Sequence, residues 1–140
     1  MADPIGPTYA NCDCCTGSVG TWCCANILPD TLNITIVNSC GTYTGTLTYD
    51  PAYGSGVAKC WVGNISANCF GGGGPCAAHT VNILFCCQNT GGWTINVACD
   101  SIPGAGTTSS MSIVCNPFVA TESMPLISCL QCATNITITV

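Results

Sequence analysis

Thr31-Leu32-Asn33-Ile34-Thr35-Ile36-Val37 decides the class of fold. Leu32, Ile34 and Ile36 share one phase of this stretch, while Thr31, Asn33 and Thr35 share the other. A period of two is the mark of a β-strand with one buried face, because successive side chains leave a pleated strand on opposite sides. β-Branched residues also dominate the stretch, as they do in strands generally. The same texture returns at the far end, where Ala133 to Val140 places Ile136, Ile138 and Val140 inward.

Between these two stretches the chain repeats short β-branched runs separated by turn residues. Tyr43 to Tyr49 alternates less cleanly and is closed by Asp50-Pro51. Lys59-Cys60-Trp61-Val62 is a third run, and Thr80 to Cys87 a fourth, following the loop Gly71-Gly72-Gly73-Gly74-Pro75. Trp93 to Cys99 comes next, joined to the fourth run by Asn89-Thr90-Gly91-Gly92, which reads as a hairpin turn. Met111 to Cys115 and Pro117 to Thr121 complete the set. No stretch sustains a 3.6-residue period, and Gly, Pro and Asn interrupt every helical candidate. Such a series predicts an all-β domain, a two-sheet antiparallel β-sandwich or jelly-roll-like fold. Residues 1–24 carry Pro, Gly and five cysteines without periodicity and are expected to form an irregular N-terminal arm; residues 25–140 form the sandwich domain.

Charge narrows the function. The 140 residues hold six acids (Asp3, Asp13, Asp30, Asp50, Asp100, Glu122), one Lys (Lys59) and no Arg. Nucleic-acid binding rests on Lys and Arg neutralising phosphates, so nucleic acid is excluded as a partner. Polybasic attraction to anionic membranes fails for the same reason. No apolar run reaches the ~20 residues that span a bilayer as a helix. Met1-Ala2-Asp3-Pro4-Ile5-Gly6-Pro7 has neither the basic nor the apolar region of a secretory signal. With so few charges, the solvated face is expected to consist of Thr, Ser, Asn and Gly.

Fifteen cysteines form the other strong signal: Cys12, Cys14, Cys15, Cys23, Cys24, Cys40, Cys60, Cys69, Cys76, Cys86, Cys87, Cys99, Cys115, Cys129 and Cys132. That density belongs to disulfide scaffolds formed in oxidising surroundings. Neighbouring residues of a strand face opposite ways, so the adjacent pairs Cys14-Cys15, Cys23-Cys24 and Cys86-Cys87 each suit two different partners. Each bridge contributes about 2–4 kcal/mol. Spacing alone does not give the connectivity, and an odd count leaves at least one thiol free, liganded or joined to another chain. Cys129-Leu130-Gln131-Cys132 has the spacing of a zinc pair, with Cys12 and Cys14, or Cys23 and Cys24, as candidates to complete a structural zinc site. The chain holds a single C-x-x-C and a single histidine, so disulfides are the favoured reading and no cofactor is expected.

Enzyme motifs fail in turn. A Ser-His-Asp triad would depend on His79, and Gly54-Ser55-Gly56 is not a nucleophile elbow. The Gly71–Gly74 run lacks the Lys-Ser/Thr of a phosphate loop. Asp50 with Glu122 or Asp100 would be the carboxylate pair for glycoside chemistry, although scattered acids produce such pairs by chance. Asn33-Ile34-Thr35, Asn64-Ile65-Ser66 and Asn135-Ile136-Thr137 match the glycosylation acceptor pattern, which a Thr/Asn-rich chain also yields at random. Lys59, the only side-chain amine, is expected to be exposed beside Trp61; an isopeptide link or an ion pair to a neighbouring subunit are the sharper alternatives. Trp22, Trp61, Trp93 and the tyrosines would be the stacking platforms if the domain were a carbohydrate-binding module. No catalytic residue and no enzymatic activity are expected.

The order of motifs resembles a group of small cysteine-rich β proteins encoded in bacteriophage genomes and in environmental bacteria such as planctomycetes. The resemblance rests on Cys23-Cys24 ahead of Leu28-Pro29-Asp30-Thr31-Leu32, then Trp61-Val62-Gly63, a Cys-ending central hairpin, Cys115-Asn116-Pro117-Phe118, and a terminal Ile-Thr-Ile-Thr-Val strand. It implies a structural or surface role without catalytic residues. The expectation is therefore a virion structural protein, a capsid decoration or cement protein or a small fibre protein, located on the virion or otherwise extracellular. Its partners would be other protein subunits, in a homo-oligomer or a large assembly, with residues 1–24 as anchor. The alternative is a secreted or cell-surface filament or adhesin subunit, in which Thr31–Val37 or Ala133–Val140 pair between chains.

Overall fold

The computed structural model describes residues 28–52, 57–70, 76–88, 92–99, 106–114, 118–124 and 134–140. The expected arm, residues 1–24, lies outside them. Nine strands and no helix occur among the described residues: β1 (Thr31–Asn38), β2 (Gly41–Tyr49), β3 (Val57–Phe70), β4 (Cys76–Gln88), β5 (Trp93–Cys99), β6 (Thr107–Ser110), β7 (Ser112–Val114), β8 (Val119–Met124) and β9 (Thr134–Thr139).

Every pairing is antiparallel, and the strands form one sheet in the order β6-β5-β4-β3-β2-β1-β9-β8-β7. The two ends of that order are successive halves of one extended segment, broken only at Met111. Residues 107–110 pair with β5, and residues 112–114 pair with β8. Met111 N–H donates to Trp93 O at 2.9 Å, and the Ser109 hydroxyl donates to the Glu122 carboxylate across the seam between β6 and β8. The sheet therefore curls into a nearly closed barrel, an up-and-down meander in which β9 returns to β1.

The expected division into two sheets is not found. Alternation in a sequence shows which face of a strand is buried, but not whether the facing side chains come from a second sheet or from the far side of the same one. Connection length carried the missing information. β1 and β2 are joined through Ser39-Cys40 alone, and the β3–β4 and β4–β5 links are similarly short. Such links favour sequential hairpins over crossings between sheets.

Side chains fill the interior. Leu32, Ile34 and Ile36 of β1 meet Ile136 and Ile138 of β9, all at 0–1% exposure. Four rings occupy one end: Trp61–Phe85, Phe85–Trp93 and Trp93–Phe118 centroids lie 5.7, 5.2 and 5.3 Å apart. A barrel with about eight strand positions is just wide enough for such a packed core or for one small ligand; here the rings and branched aliphatics take the space. Gly63 lets β2 and β3 approach closely, since a Cβ there would sit 2.4 Å from Thr46 O and 2.8 Å from Leu47 Cδ2.

The outer face is divided. On β3, β4 and β5 the outward residues Cys60, Asn82, Cys86, Asn96 and Ala98 are buried. Asn96 is held there by bonds from its Nδ2 to Thr108 Oγ1 (2.8 Å) and from Gly106 N–H to its Oδ1 (3.3 Å). On β2, β1, β9 and β8 the outward residues are mostly exposed.

Candidate interaction surface

Register builds the open wall row by row. Thr44, Thr35, Thr137, Thr121 and Ser112 lie side by side across five strands. Beside them run Thr46, Asn33, Thr139, Val119 and Val114, and on the other flank Thr42, Val37, Asn135 and Ser123. Neighbours in a row are about 4.8 Å apart and successive outward residues along a strand about 6.7 Å apart. The Ser123 hydroxyl donates to Asn135 Oδ1 at 2.6 Å, a side-chain bond made within the wall. β1, β2, β7 and β9 contain no Asp, Glu, Lys or Arg, and Glu122 of β8 shares the inward phase of Ala120 and Met124. The wall thus offers hydroxyls, amides and methyl groups without charge.

Lys59 departs from the expected exposed position. It shares the inward phase of Trp61 in β3, just past a bulge between Val57 and Lys59, and only 8% of its surface is accessible. Its Nζ donates to Leu28 O and to Asp30 Oδ1, both at 3.4 Å, and lies 4.7 Å from the Tyr49 ring centroid and 5.1 Å from that of Trp61. A desolvated ammonium requires such compensation: an opposite charge, a carbonyl dipole and two ring faces. Trp61 Nε1–H donates to Pro29 O at 2.9 Å, and Tyr49 N–H to Asp30 O at 2.8 Å. Together these contacts clasp residues 28–30 over the aromatic end of the barrel. The partner of Lys59 is Asp30 of its own chain, and Asp30 keeps 77% of its side chain in solvent. The signal that would have found the clasp was phase: Lys59 and Trp61 are two residues apart on one strand.

The cysteines supply the rigid frame. Cys60 and Cys86, opposite one another on β3 and β4, form a disulfide on the outer face. Cys87 faces inward and is disulfide-bonded too, so the adjacent pair Cys86-Cys87 serves two partners. Cys40 and Cys99 are also in disulfides. Cys12, Cys14, Cys15, Cys23, Cys24, Cys115, Cys129 and Cys132 lie outside the described residues, and the zinc candidates are among them. No group of three or more His, Cys, Asp or Glu side chains that could hold a metal occurs among the described residues.

The remaining candidates are dispersed. His79 is half-buried on β4 opposite Ala67. Asp50 caps its own turn by accepting from Ala52 N–H at 2.9 Å, and Glu122 holds the seam; β1 and β9 separate their strands. Asp100, Trp22, Gly54-Ser55-Gly56 and the Gly71–Gly74 run are outside the described residues. Trp61 and Trp93 are 0% and 3% exposed, so neither presents a face to a sugar. Asn33, Asn64 and Asn135 are exposed while Ile34, Ile65 and Ile136 are buried, so each Asn-Ile-Thr/Ser match follows the alternation of a strand. β1 lies between β2 and β9, and β9 between β1 and β8, so neither terminal strand has an open edge for pairing between chains. Comparison with known proteins finds no matching family model, no similar curated protein and no similar solved structure. The class defined by fold and frame is thus an all-β, antiparallel, disulfide-bonded domain.

Proposed function

We propose that this protein is a structural component of an extracellular particle: a virion surface protein, acting as capsid decoration or cement or as a small fibre protein. The observation that carries the reading is the charge-free wall of β2, β1, β9 and β8, exposed along rows of Thr, Ser and Asn. Subunit contacts lose charge toward their centres, because an unpaired ion is costly to desolvate. A wall without ions meets a neighbouring subunit at no such cost. The filled interior and the disulfides at Cys40, Cys60, Cys86, Cys87 and Cys99 suit a part that must endure rather than move. Buried Trp61 and Trp93 weigh against a carbohydrate-binding module, and the β1–β9 pairing weighs against a filament built by strand exchange.

The test is to purify particles from the culture carrying the gene and measure this chain by mass spectrometry. A fixed copy ratio to the major shell protein, lost when Thr35 and Thr137 are changed together to Asp, is the expected result. A chain found only in the particle-free fraction contradicts the proposal.

A further inference from the structure

We infer that this chain is built to be a non-substrate for trypsin-type proteases, with the Lys59 clasp as the guard of its one cleavage site. Proteases of this type select Lys or Arg by an aspartate at the base of the pocket that receives the side chain. The sequence offers them one Lys and no Arg in 140 residues, so Lys59–Cys60 is the sole bond they can recognise. Cleavage requires the lysine to enter that pocket while the flanking backbone leaves its own sheet.

Both conditions are blocked at Lys59. The ammonium is already bound by Leu28 O, Asp30 and the rings of Tyr49 and Trp61, with 10% of the side chain accessible. β3 is an interior strand between β2 and β4, and Lys59 pairs with Cys87. The residue that follows the scissile bond, Cys60, is stapled to Cys86. Freeing the site means undoing the β2–β3–β4 core together with Trp61, whose side chain is fully buried. The low charge of the chain thereby acquires a second consequence: the surface is cleared of basic residues, and the one that remains is withdrawn. The inference stands independently of the particle assignment, since it concerns any setting that contains such proteases.

The experiment is digestion of the oxidised native protein by trypsin, followed by intact mass, beside the reduced and alkylated chain. The reduced chain should give two fragments, residues 1–59 and 60–140. Native cleavage should be slower by about a thousandfold or more, the population of an open state in a typical stable domain. The variant Ala52→Lys places a lysine on an exposed turn between β2 and β3 and should be cut quickly there while Lys59–Cys60 stays whole. Native cutting at Lys59 at a rate near that of the reduced chain would overturn the inference. So would an Ala52→Lys protein as resistant as the parent, because resistance would then owe nothing to where the lysine is held.

Discussion

The two halves of the barrel use the same strand geometry for opposite ends. Outward residues Cys60, Asn82, Cys86, Asn96 and Ala98 of β3, β4 and β5 are buried, with a disulfide at Cys60–Cys86 and an anchored Asn96, while Asn64, Ser66, Ala78 and Thr80 farther along β3 and β4 are exposed. Outward residues of β2, β1 and β9 are Thr and Asn in open rows. The difference is written in the strands themselves. Ile83-Leu84-Phe85-Cys86-Cys87 and Ile95-Asn96-Val97-Ala98 read as nearly continuous apolar runs, whereas Thr31-Leu32-Asn33-Ile34-Thr35-Ile36 alternates. Continuous runs belong to strands buried on both faces and alternation to strands with one wet face. Both halves fill the core, but one is also partly covered on its outer face and the other keeps that face in solvent.

Four sets of substitutions break or sharpen this contrast, from the largest effect to the smallest. Trp61→Ala removes a fully buried ring that stacks on Trp93, packs tilted against Phe85 and donates to Pro29 O; it should cost about 3–5 kcal/mol by denaturant unfolding. Replacing Cys60 and Cys86 together by Ala opens a link of sequence separation 26 and should cost about 2–4 kcal/mol, with the native fold kept. Asn96→Ala removes the side-chain bonds to Thr108 Oγ1 and Gly106 N–H, whose residues are exposed and can turn to water, and should cost about 0.5–1.5 kcal/mol, read as a lower thermal midpoint. Thr44→Ser and Thr137→Ser on the open wall should stay within about 0.5 kcal/mol of the parent. A wall variant as damaging as Asn96→Ala would dissolve the distinction between the halves.

Much of the covered half and the wall was legible from residues. The Thr80–Cys87 and Trp93–Cys99 hairpin lies within β4 and β5, and the alternating first and last stretches are β1 and β9. What escaped notice had physical causes. Only Lys59 to Val62 of the 14-residue β3 was visible, because Gly63, Asn64, Ser66 and Asn68 have poor strand propensity and are held by β4 instead. β6, Thr107-Thr108-Ser109-Ser110, carries no apolar residue to betray a buried face. Curling of one sheet leaves no mark on periodicity, so the barrel itself was unreadable from alternation. Of the candidate residues, Lys59 is the one the fold relocates most: a side chain assigned to solvent closes the end of the core.

The closed sheet is the premise on which both halves depend, and amide-resolved hydrogen exchange tests it most directly. Closure requires the segment 107–114 to pair with β5 through Thr107–Ser110 and with β8 through Ser112–Val114, so protected amides should occur in both halves of it, as well as along Asn33 to Val37 between β2 and β9. Free exchange throughout Ser112–Val114 while Thr107–Ser110 stays protected would mean an open seam, and would contradict the barrel.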